Sequence, residues 1–287
     1  MIPCLGVASG LGGSHRGSEK GPIVIRERIS LPVDWKEMLC PTPNVQVAWE
    51  EIPVLNEKIA RITFSHTMQA PFSLIITGDH SSGVGTWSGV AEAQRQKGQE
   101  LGLIWMDAHM DAHVPETTPS GNIHGMPLAA LLGHGAKNLT HLLSEHPKIK
   151  PENLFLVGIR CYEDEEKELL EKLNVRIYYI EEVKSRGLSQ VLSEIVNTFS
   201  ERQLSYGVSL DIDFFDPSVM PATGTPEANG VDPDEFLAAY ELFDSYPPVA
   251  FEFVEFNPPL DTNDESLRRV DTILHRVVQN HASCSVA

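Results

Sequence analysis

The sequence predicts an α/β fold, a single three-layer α-β-α domain built on a mostly parallel, doubly wound sheet of about eight strands. Apolar runs of strand length alternate with stretches of helical period, which is the pattern of parallel strands joined by helices. Most of the strand runs are continuously apolar, as expected when helices cover both faces of the sheet. No repeat or low-complexity linker divides the 287 residues, and one core can support about 250–300 residues. We therefore expect one domain over residues 1–287.

The predicted strands share short runs rich in Val, Ile, Leu and aromatic residues. They are Leu5–Ala8, Val45–Trp49, Phe72–Thr77, Leu101–Met106, Leu154–Ile159, Arg176–Ile180, Tyr206–Ile212 and Val249–Val254. The predicted helices lie between them, at Ile23–Ile29, Leu55–Ala70, Gly85–Lys97, Pro127–Leu132, Asp164–Leu173, Leu188–Arg202, Asp234–Phe243 and Ser266–Asn280. The last helix carries an apolar stripe from Leu267 to Val278, which favours packing against the sheet over an oligomer interface.

Charge and cysteine usage limit the class of protein. The formal net charge of −18 argues against a sequence-independent grip on nucleic acid and permits a cationic small substrate. Cys4, Cys40, Cys161 and Cys284 form no CxxC pair, which is typical of free thiols in a reducing compartment. No apolar run approaches the roughly 18 residues of a membrane span, and the N-terminus has no basic flank typical of a signal peptide. We expect a cytoplasmic protein with no membrane or nucleic-acid partner.

Polar residues collect where predicted strands end. Four strands end in carboxylates or imidazoles, at His80, Asp107, His109, Asp111, Asp211, Asp213 and Glu255. Ligands of doubly wound sheets bind outside the carboxyl ends of the strands, so these side chains should converge. In extended backbone, residues two apart share a face, so the DxHxD and DxD segments each aim their ligands at one point. One such segment alone is commonly a turn, but several together predict a metal site.

The charge of this cluster predicts two metal ions. Four unpaired carboxylates carry −4, which two divalent cations neutralise and one does not. Oxygen ligands with two imidazoles and no thiolate favour Mn²⁺, although Fe, Co and Ni accept the same set. Two such ions can share a water and lower its pKa, giving hydroxide near neutral pH.

Two further residues point to the chemistry of a planar cation. Glu255 adds a carboxylate beyond those the ions require, and a carboxylate matches a guanidinium as a two-point fork. The alternative is that Glu255 is another ligand or a solvated acid. His124 lies in the loop Ser120–Pro127, where it could donate a proton to a leaving amine. It could equally be a turn histidine that holds backbone groups.

Together these segments resemble the ureohydrolase family, the binuclear manganese enzymes that include arginase and agmatinase. The resemblance covers most of the chain, in order. The matching motifs are Gly12-Gly13 to Ile25-Arg26, GDHS (Gly78–Ser81), DAHMD (Asp107–Asp111), SGNIHGMP (Ser120–Pro127), SLDID (Ser209–Asp213), DPSVMPATGTP (Asp216–Pro226) and VEFNPPLD (Val254–Asp261). SGNIHGMP and PATGTP look most like arginase.

The resemblance implies a role for each site residue. Asp107 and Asp211 would bridge the ions, with His80 and Asp111 completing one coordination sphere, and His109 and Asp213 the other. Asp111, His124 and Glu255 would be catalytic, with His124 shuttling protons and Glu255 lying near the guanidinium. The residues expected to contact substrate are His113, Ser120, Asn122, Glu163, Glu166 and Thr225. Family members are commonly trimers or hexamers, so a homo-oligomer is also expected.

The substrate is less well determined. The resemblance implies hydrolysis of L-arginine to L-ornithine and urea by a metal-bridging hydroxide. The alternative is a related ureohydrolase that acts on agmatine, guanidinobutyrate or a formimino compound. His113 stands where arginases have Asn, Glu163 where an Asp is usual, and Glu227 is reminiscent of agmatinase. Glu163 and Glu166 could also belong to a solvated helix face.

Two other classes of protein are considered. A binuclear metallophosphoesterase needs DxH before GD, and then an uninterrupted GNH. Here Gly78-Asp79 precedes Asp107, and Ile123 separates Asn122 from His124, so this reading is disfavoured. A non-catalytic homologue would have no need of the complete set of metal and catalytic groups.

Overall fold

The eight strands of the structure form one parallel sheet. The structure is a computed structural model that describes residues 1–41 and 47–282. Within these ranges the strands are β1 Ile2–Val7, β2 Val33–Leu39, β3 Ser73–Thr77, β4 Gly102–Met106, β5 Leu154–Ile159, β6 Arg176–Tyr179, β7 Tyr206–Asp211 and β8 Ala250–Val254. Their order across the sheet is β2-β1-β3-β8-β7-β4-β5-β6, and every neighbouring pair is parallel. The predicted fold class is confirmed.

Helices cover both faces of this sheet. They are α1 Gly21–Arg28, α2 Ala48–Gln69, α3 Gly83–Gln96, α4 Pro127–Leu131, α5 Lys137–Thr140, α6 Asp164–Lys172, α7 Ile180–Arg186, α8 Leu188–Glu201, α9 Pro233–Ala239 and α10 Glu265–Ala282. In the parts of the chain that the structure describes, each helix is too short or too polar to cross a lipid bilayer.

Alternate residues of each strand enter two different cores. Leu74 and Ile76 of β3 belong to one apolar cluster, which includes side chains of α1, α7, α8, α9 and α10. Ile75 belongs to the other cluster, which includes side chains of α2, α3, α4 and α6. This alternation explains the continuously apolar strands, because each face of the sheet is buried. The stripe of α10 from Leu267 to Val278 lies in the first cluster, so it packs within the chain as expected.

One strand was predicted in the wrong place. Residues 45 and 46 of the predicted strand Val45–Trp49 lie outside the described residues, and the rest of it is not a strand, because Val47 is irregular and Trp49 belongs to α2. The second strand is instead Val33–Leu39. Its sequence, VDWKEML, mixes charged with apolar residues, as is typical of an edge strand with one neighbour and partly exposed side chains. A search for continuous apolar runs overlooks such a strand.

Helix α7 and the first turns of α2 were also missed. The predicted strand Arg176–Ile180 ends at Tyr179, and Ile180 begins α7 directly. Helix α2 begins at Ala48, before Pro53. Pro53 lies inside this helix, although proline lacks the amide proton that a helix interior uses and is normally found near a helix start.

The sheet order brings together strands that are distant in the sequence. β3, β8, β7 and β4 are consecutive neighbours at its centre. Because all four are parallel, the residues that follow them meet at one edge. This is the edge where the sequence places its carboxylates and imidazoles.

The close packing of α2 on α3 gives a test of the fold. A methyl group at Gly89 of α3 would overlap Thr63 Oγ1 and the carbonyl oxygen of Ala60 in α2. We expect Gly89→Ala to lower the free energy of unfolding by about 3 kcal/mol, as measured by urea denaturation. Ser88→Ala is the control, because the neighbouring Ser88 hydroxyl is buried without a hydrogen-bond partner among the described residues. Equal stability of G89A and S88A would contradict this packing.

Candidate metal centre

Six potential metal ligands converge at the central edge of the sheet. His80 follows β3, the segment Asp107–Asp111 follows β4, and β7 ends in Asp211, two residues before Asp213. The side chains of His80, Asp107 and Asp213 are 1% exposed. The structure therefore brings together the three segments that the sequence assigned to metal binding.

Three carboxylates surround His80. Its Nδ1 lies 3.1 Å from Asp107 Oδ2, 3.1 Å from Asp111 Oδ2 and 3.1 Å from Asp211 Oδ2. This nitrogen is buried, and no hydrogen bond to it has acceptable geometry among the described residues. Three oxygens and one nitrogen around a common centre are the ligand set of a small cation.

A second group forms around His109 and shares Asp107 with the first. His109 Nδ1 lies 3.1 Å from Asp213 Oδ2 and 3.5 Å from Asp107 Oδ1. The two oxygens of Asp107 thus face different imidazoles. His80, Asp107 and Asp111 can hold one ion, and Asp107, His109 and Asp213 another.

Buried partners set the orientation of His80. Its Nε2 lies 3.0 Å from Ser209 Oγ, and the Ser209 hydroxyl donates to Glu252 Oε2 at 2.7 Å. Since the single serine proton goes to Glu252, Nε2 of His80 must donate to Ser209. In the neutral ring, Nδ1 then carries a lone pair aimed at the three carboxylates, which is the tautomer a metal requires. The donor set therefore fits a divalent cation.

The Trp105 ring completes this support. It stacks on His80 with ring centroids 4.0 Å apart and an interplanar angle of 5°. Its Nε1 also donates to Asp107 Oδ2 at 3.0 Å. One buried tryptophan therefore fixes both a histidine and the shared aspartate.

The electrostatics of the cluster favour positive charge. Burial, followed by the charge of Asp107, raises the pKa of Asp111 to about 6. Burial and the neighbouring Asp213 raise the pKa of Asp211 well above its usual value. Burial opposes protonation of His80, but its three carboxylate neighbours outweigh burial and raise its pKa. The raised pKa values of the aspartates and the raised pKa of the histidine have the same meaning: added positive charge stabilises the cluster.

Two polar residues at this edge adopt left-handed backbone conformations. The φ of Asp111 is 49° and that of Glu255 is 63°. Such backbone costs about 1–3 kcal/mol for a non-glycine residue and concentrates at functional sites. Glu255 is held there by its amide, which donates to the carbonyl of Gly78 at 2.7 Å.

Glu255 and His124 lie together beside the cluster. Glu255 Oε1 accepts the amide of His80 at 2.9 Å and lies 3.2 Å from His124 Nδ1. The amide of His124 donates to the carbonyl of Gly12 at 3.1 Å, so the loop Ser120–Pro127 is tied to the N-terminal segment. Burial opposes protonation of His124, but Glu255 outweighs it and raises the pKa of His124 to about 9.

A cavity of about 170 Å³ opens from this cluster. Its lining includes metal-ligand candidates, His124 and Glu255. It also includes His113, Ser120, Glu163 and Glu166, which we call the outer wall because Ser120 and Glu163 are exposed to solvent. The volume suits a small molecule of several heavy atoms. A polar inner end and acidic outer groups suit a molecule with a cation at each end.

The sequence matches the family model described as "Arginase family" over residues 2–278. The arginase of Bacillus caldovelox is 35% identical over 283 residues, which cover 92% of this chain and 93% of that protein. The arginase of Brevibacillus brevis is 33% identical over 280 residues, with the same coverage. The chain belongs to the arginase family. The crystal structure of the Bacillus subtilis arginase superposes with a TM-score of 0.87 at 33% identity and covers 97% of this chain and 98% of that chain.

Members of the arginase family are hydrolases that act on guanidino groups. The predicted family resemblance is confirmed, and with it the assignment of this chain as a hydrolase. The family is metal-dependent. The cluster of imidazoles and carboxylates at the sheet edge is where this chain can hold metal.

The cavity wall includes His113 and Glu163, two positions at which the sequence departs from the usual arginase pattern. His113 Nε2 lies 3.0 Å from Glu163 Oε2 and 3.5 Å from Glu166 Oε2, and Nδ1 lies 3.0 Å from Thr117 Oγ1. Glu166 accepts the amides of Ala112 and Glu163, and burial raises its pKa to about 8. Glu166 is therefore not a solvated helix residue. The Glu163 side chain is 53% exposed and reaches the cavity.

The other residues predicted to contact substrate are Thr225, Ser120 and Asn122, of which the first two line the cavity. Thr225 lines the cavity, and its hydroxyl donates to Asp213 Oδ2 at 3.0 Å. Ser120 is exposed at the cavity mouth, where its Oγ accepts the amide of Asn122. The Asn122 side chain approaches Ser14 Oγ at 3.5 Å, and among the described residues it is not part of the cavity wall.

Several supporting residues were not identified from the sequence. Glu252 is fully buried within β8, and Ser209 is fully buried within β7. Asp79 accepts the amides of Gly12 and Ser81 and so anchors the N-terminal segment near His124. A carboxylate in the middle of a strand that is apolar on both faces was the available signal for Glu252, since such a charge is rare without partners.

The contact between Ser209 and His80 is testable through metal affinity. We expect Ser209→Ala to weaken Mn²⁺ binding by about 10–100-fold, because Nε2 of His80 loses the acceptor that fixes its tautomer. The metal content of the purified chain and its Mn²⁺ titration measure this. Ser82→Ala is the matched control, because the Ser82 hydroxyl is buried without a described partner. Wild-type affinity in S209A would refute this role for Ser209.

Proposed function

We propose that the protein is an arginase, which uses two Mn²⁺ ions to hydrolyse L-arginine to L-ornithine and urea. The observation that supports this best is the pair of imidazole–carboxylate groups sharing Asp107, beside a cavity that also contains His124 and Glu255. The relatives that match nearly the whole chain are themselves named arginases.

In this proposal each imidazole belongs to a different ion. His80 and Asp111 would hold the first, His109 and Asp213 would hold the second, and Asp107 and Asp211 would be shared. When bound, the two ions lower the pKa of a water so that hydroxide is present near neutral pH. Fe, Co or Ni can occupy the same ligands, since oxygen and imidazole donors do not select one first-row ion.

Glu255 binds the guanidinium of the substrate. The contacts with the amide of His80 and with His124 both use Oε1, and Oε2 can accept N–H groups from a planar cation. Its carboxylate is 9% exposed, and a charge-assisted hydrogen bond to a guanidinium is stronger when water is excluded. Glu255 thereby positions the central carbon of the guanidinium beside the cluster.

His124 supplies the proton that the leaving amine needs. Its pKa of about 9, raised by Glu255 against the effect of burial, keeps the imidazole protonated at neutral pH. Breaking the carbon–nitrogen bond leaves an amine nitrogen, which takes this proton and departs as ornithine. His124 lies at the border of the cavity and is 21% exposed, so it can be reprotonated from solvent.

The outer wall then binds the amino-acid end of the substrate. Glu163 presents a carboxylate to the cavity and is held by His113 and by the first turn of α6. It can bind the α-ammonium group of arginine. Ser120, at the cavity mouth, can donate to the α-carboxylate.

A substrate panel tests the proposed function directly. We expect the Mn²⁺-loaded protein to hydrolyse L-arginine at least about 100-fold faster, by kcat/KM, than agmatine, guanidinobutyrate or N-formimino-L-glutamate, because only arginine presents both amino-acid groups to the outer wall. Urea, or the corresponding amide product, is measured for each. Equal or reversed preference would replace arginine with one of the other compounds, and no turnover of any would reject the activity.

His124→Asn separates proton transfer from metal binding. We expect kcat to fall by at least about 10-fold, because asparagine cannot donate the proton, while metal content stays at the wild-type level. Steady-state kinetics and elemental analysis of the same preparation measure the two effects.

His141→Asn is the control for that experiment, since His141 is exposed directly after α5 and does not line the cavity. A parallel loss of metal and activity in H124N would make His124 a ligand and not a proton donor.

A further inference from the structure

A thiol lies directly against the second imidazole of the metal centre. Cys161 follows β5, and its amide donates to the carbonyl of Ala108 at 3.0 Å. His109 and Cys161 form an isolated parallel β-bridge. Neighbouring residues of a parallel bridge project their side chains in the same direction about 5 Å apart, so the Cys161 thiol is held beside the His109 ring.

Arg160 holds the backbone of a third residue, Glu227, near the same place. Its guanidinium donates to the carbonyl oxygens of Asp213 at 2.6 Å, Glu227 at 2.9 Å and Ala228 at 3.0 Å. Of the five hydrogen bonds from this side chain to backbone carbonyls, the two to Glu227 and Ala228 hold the loop of Glu227 against the end of β5. Glu227 is thus fixed through its backbone, and its carboxylate is available for another partner.

The three side chains form a compact group. A ring nitrogen of His109, the sulfur of Cys161 and a carboxylate oxygen of Glu227 all lie within 4.8 Å of one another. All three are partly exposed, so a solvated cation can reach them. Ligands of a tetrahedral zinc ion are roughly 3.3–3.8 Å apart, and small side-chain rotations close that difference.

We propose that His109, Cys161 and Glu227 form a binding site for one thiophilic divalent cation of the zinc and cadmium class, next to the manganese centre. The donors are one sulfur, one nitrogen and one oxygen, with a water in the fourth position, a set that suits Zn²⁺ or Cd²⁺. The manganese ligands are oxygens and imidazoles without sulfur, so the two sites prefer different metals. On binding, the thiol proton is released to solvent as the sulfur–metal bond forms.

A cation bound at this site weakens the binding of the second Mn²⁺ ion. His109 Nδ1 faces Asp213 and Asp107, so a cation on the Cys161 side competes for the same imidazole and repels a neighbouring dication. A thiophilic cation should therefore inhibit catalysis. This regulatory consequence depends on the proposed function, whereas the binding itself does not.

Cadmium binding tests the site without any enzymatic assay. The full-length, Mn²⁺-loaded protein is titrated with CdCl₂ while the ultraviolet thiolate-to-cadmium charge-transfer band is recorded. We expect a band that saturates at one Cd²⁺ per chain and is lost in Cys161→Ser. Glu227→Gln should weaken Cd²⁺ binding by about 10-fold or more, as expected when one ligand of three is removed.

Cys40→Ser is the matched control, because Cys40 is an exposed free cysteine and its removal should leave the band unchanged. A band that persists in C161S, or no band in the wild-type protein, would overturn the proposal. Unchanged affinity in E227Q would remove Glu227 from the site.

Zinc inhibition tests the regulatory consequence. We expect Zn²⁺ to inhibit urea release from L-arginine in the wild-type protein, with at least about 10-fold more Zn²⁺ needed in C161S, since the sulfur ligand is gone. Equal inhibition of both proteins would contradict the competition for His109. A cadmium band without turnover of arginine would refute the proposed function and leave the site intact, and turnover without a band would do the reverse.

Discussion

The structure depends on compensating the electrostatic repulsion among four carboxylates that are buried at one edge of the sheet. Asp107, Asp111, Asp211 and Asp213 are each at most 8% exposed, and burial is the first cause that raises the pKa of the last three. Such a cluster is tolerated only where positive charge compensates it. Two imidazoles lie within the cluster with Nδ1 facing the carboxylates. Two divalent cations, held by these imidazoles and the four carboxylates, would neutralise the charge of −4.

The fold supplies the rigidity that this arrangement requires. The sheet order makes neighbours of β3, β8, β7 and β4, and each contributes either a ligand or a supporting residue. The hydrogen bonds from His80 to Ser209 and from Ser209 to Glu252 run across three of these strands and fix one tautomer. The surrounding packing holds Asp111 and Glu255 in a strained, left-handed backbone conformation.

Much of this could be predicted from the sequence, because ligand spacing and strand-end position follow from simple periodicity. The alternating DxHxD and DxD segments identified the cluster of candidate metal ligands, and the apolar runs identified seven of the eight strands. The edge strand Val33–Leu39 was missed because its charges hide its apolar face. The roles of Ser209 and Glu252 depend on contacts across strands that are distant in sequence, and Arg160 acts through backbone carbonyls, which carry no sequence signal.

The most direct measurement of the central claim is anomalous X-ray diffraction from crystals grown with MnCl₂. Two manganese peaks are expected, one at about 2.1 Å from His80 Nδ1 and one at a similar distance from His109 Nδ1, typical of metal–imidazole bonds, with Asp107 contacting both. A single peak, or none, with the four aspartates still clustered would show that protons or other partners neutralise the cluster. That result would contradict the claim that two divalent cations neutralise the four aspartates.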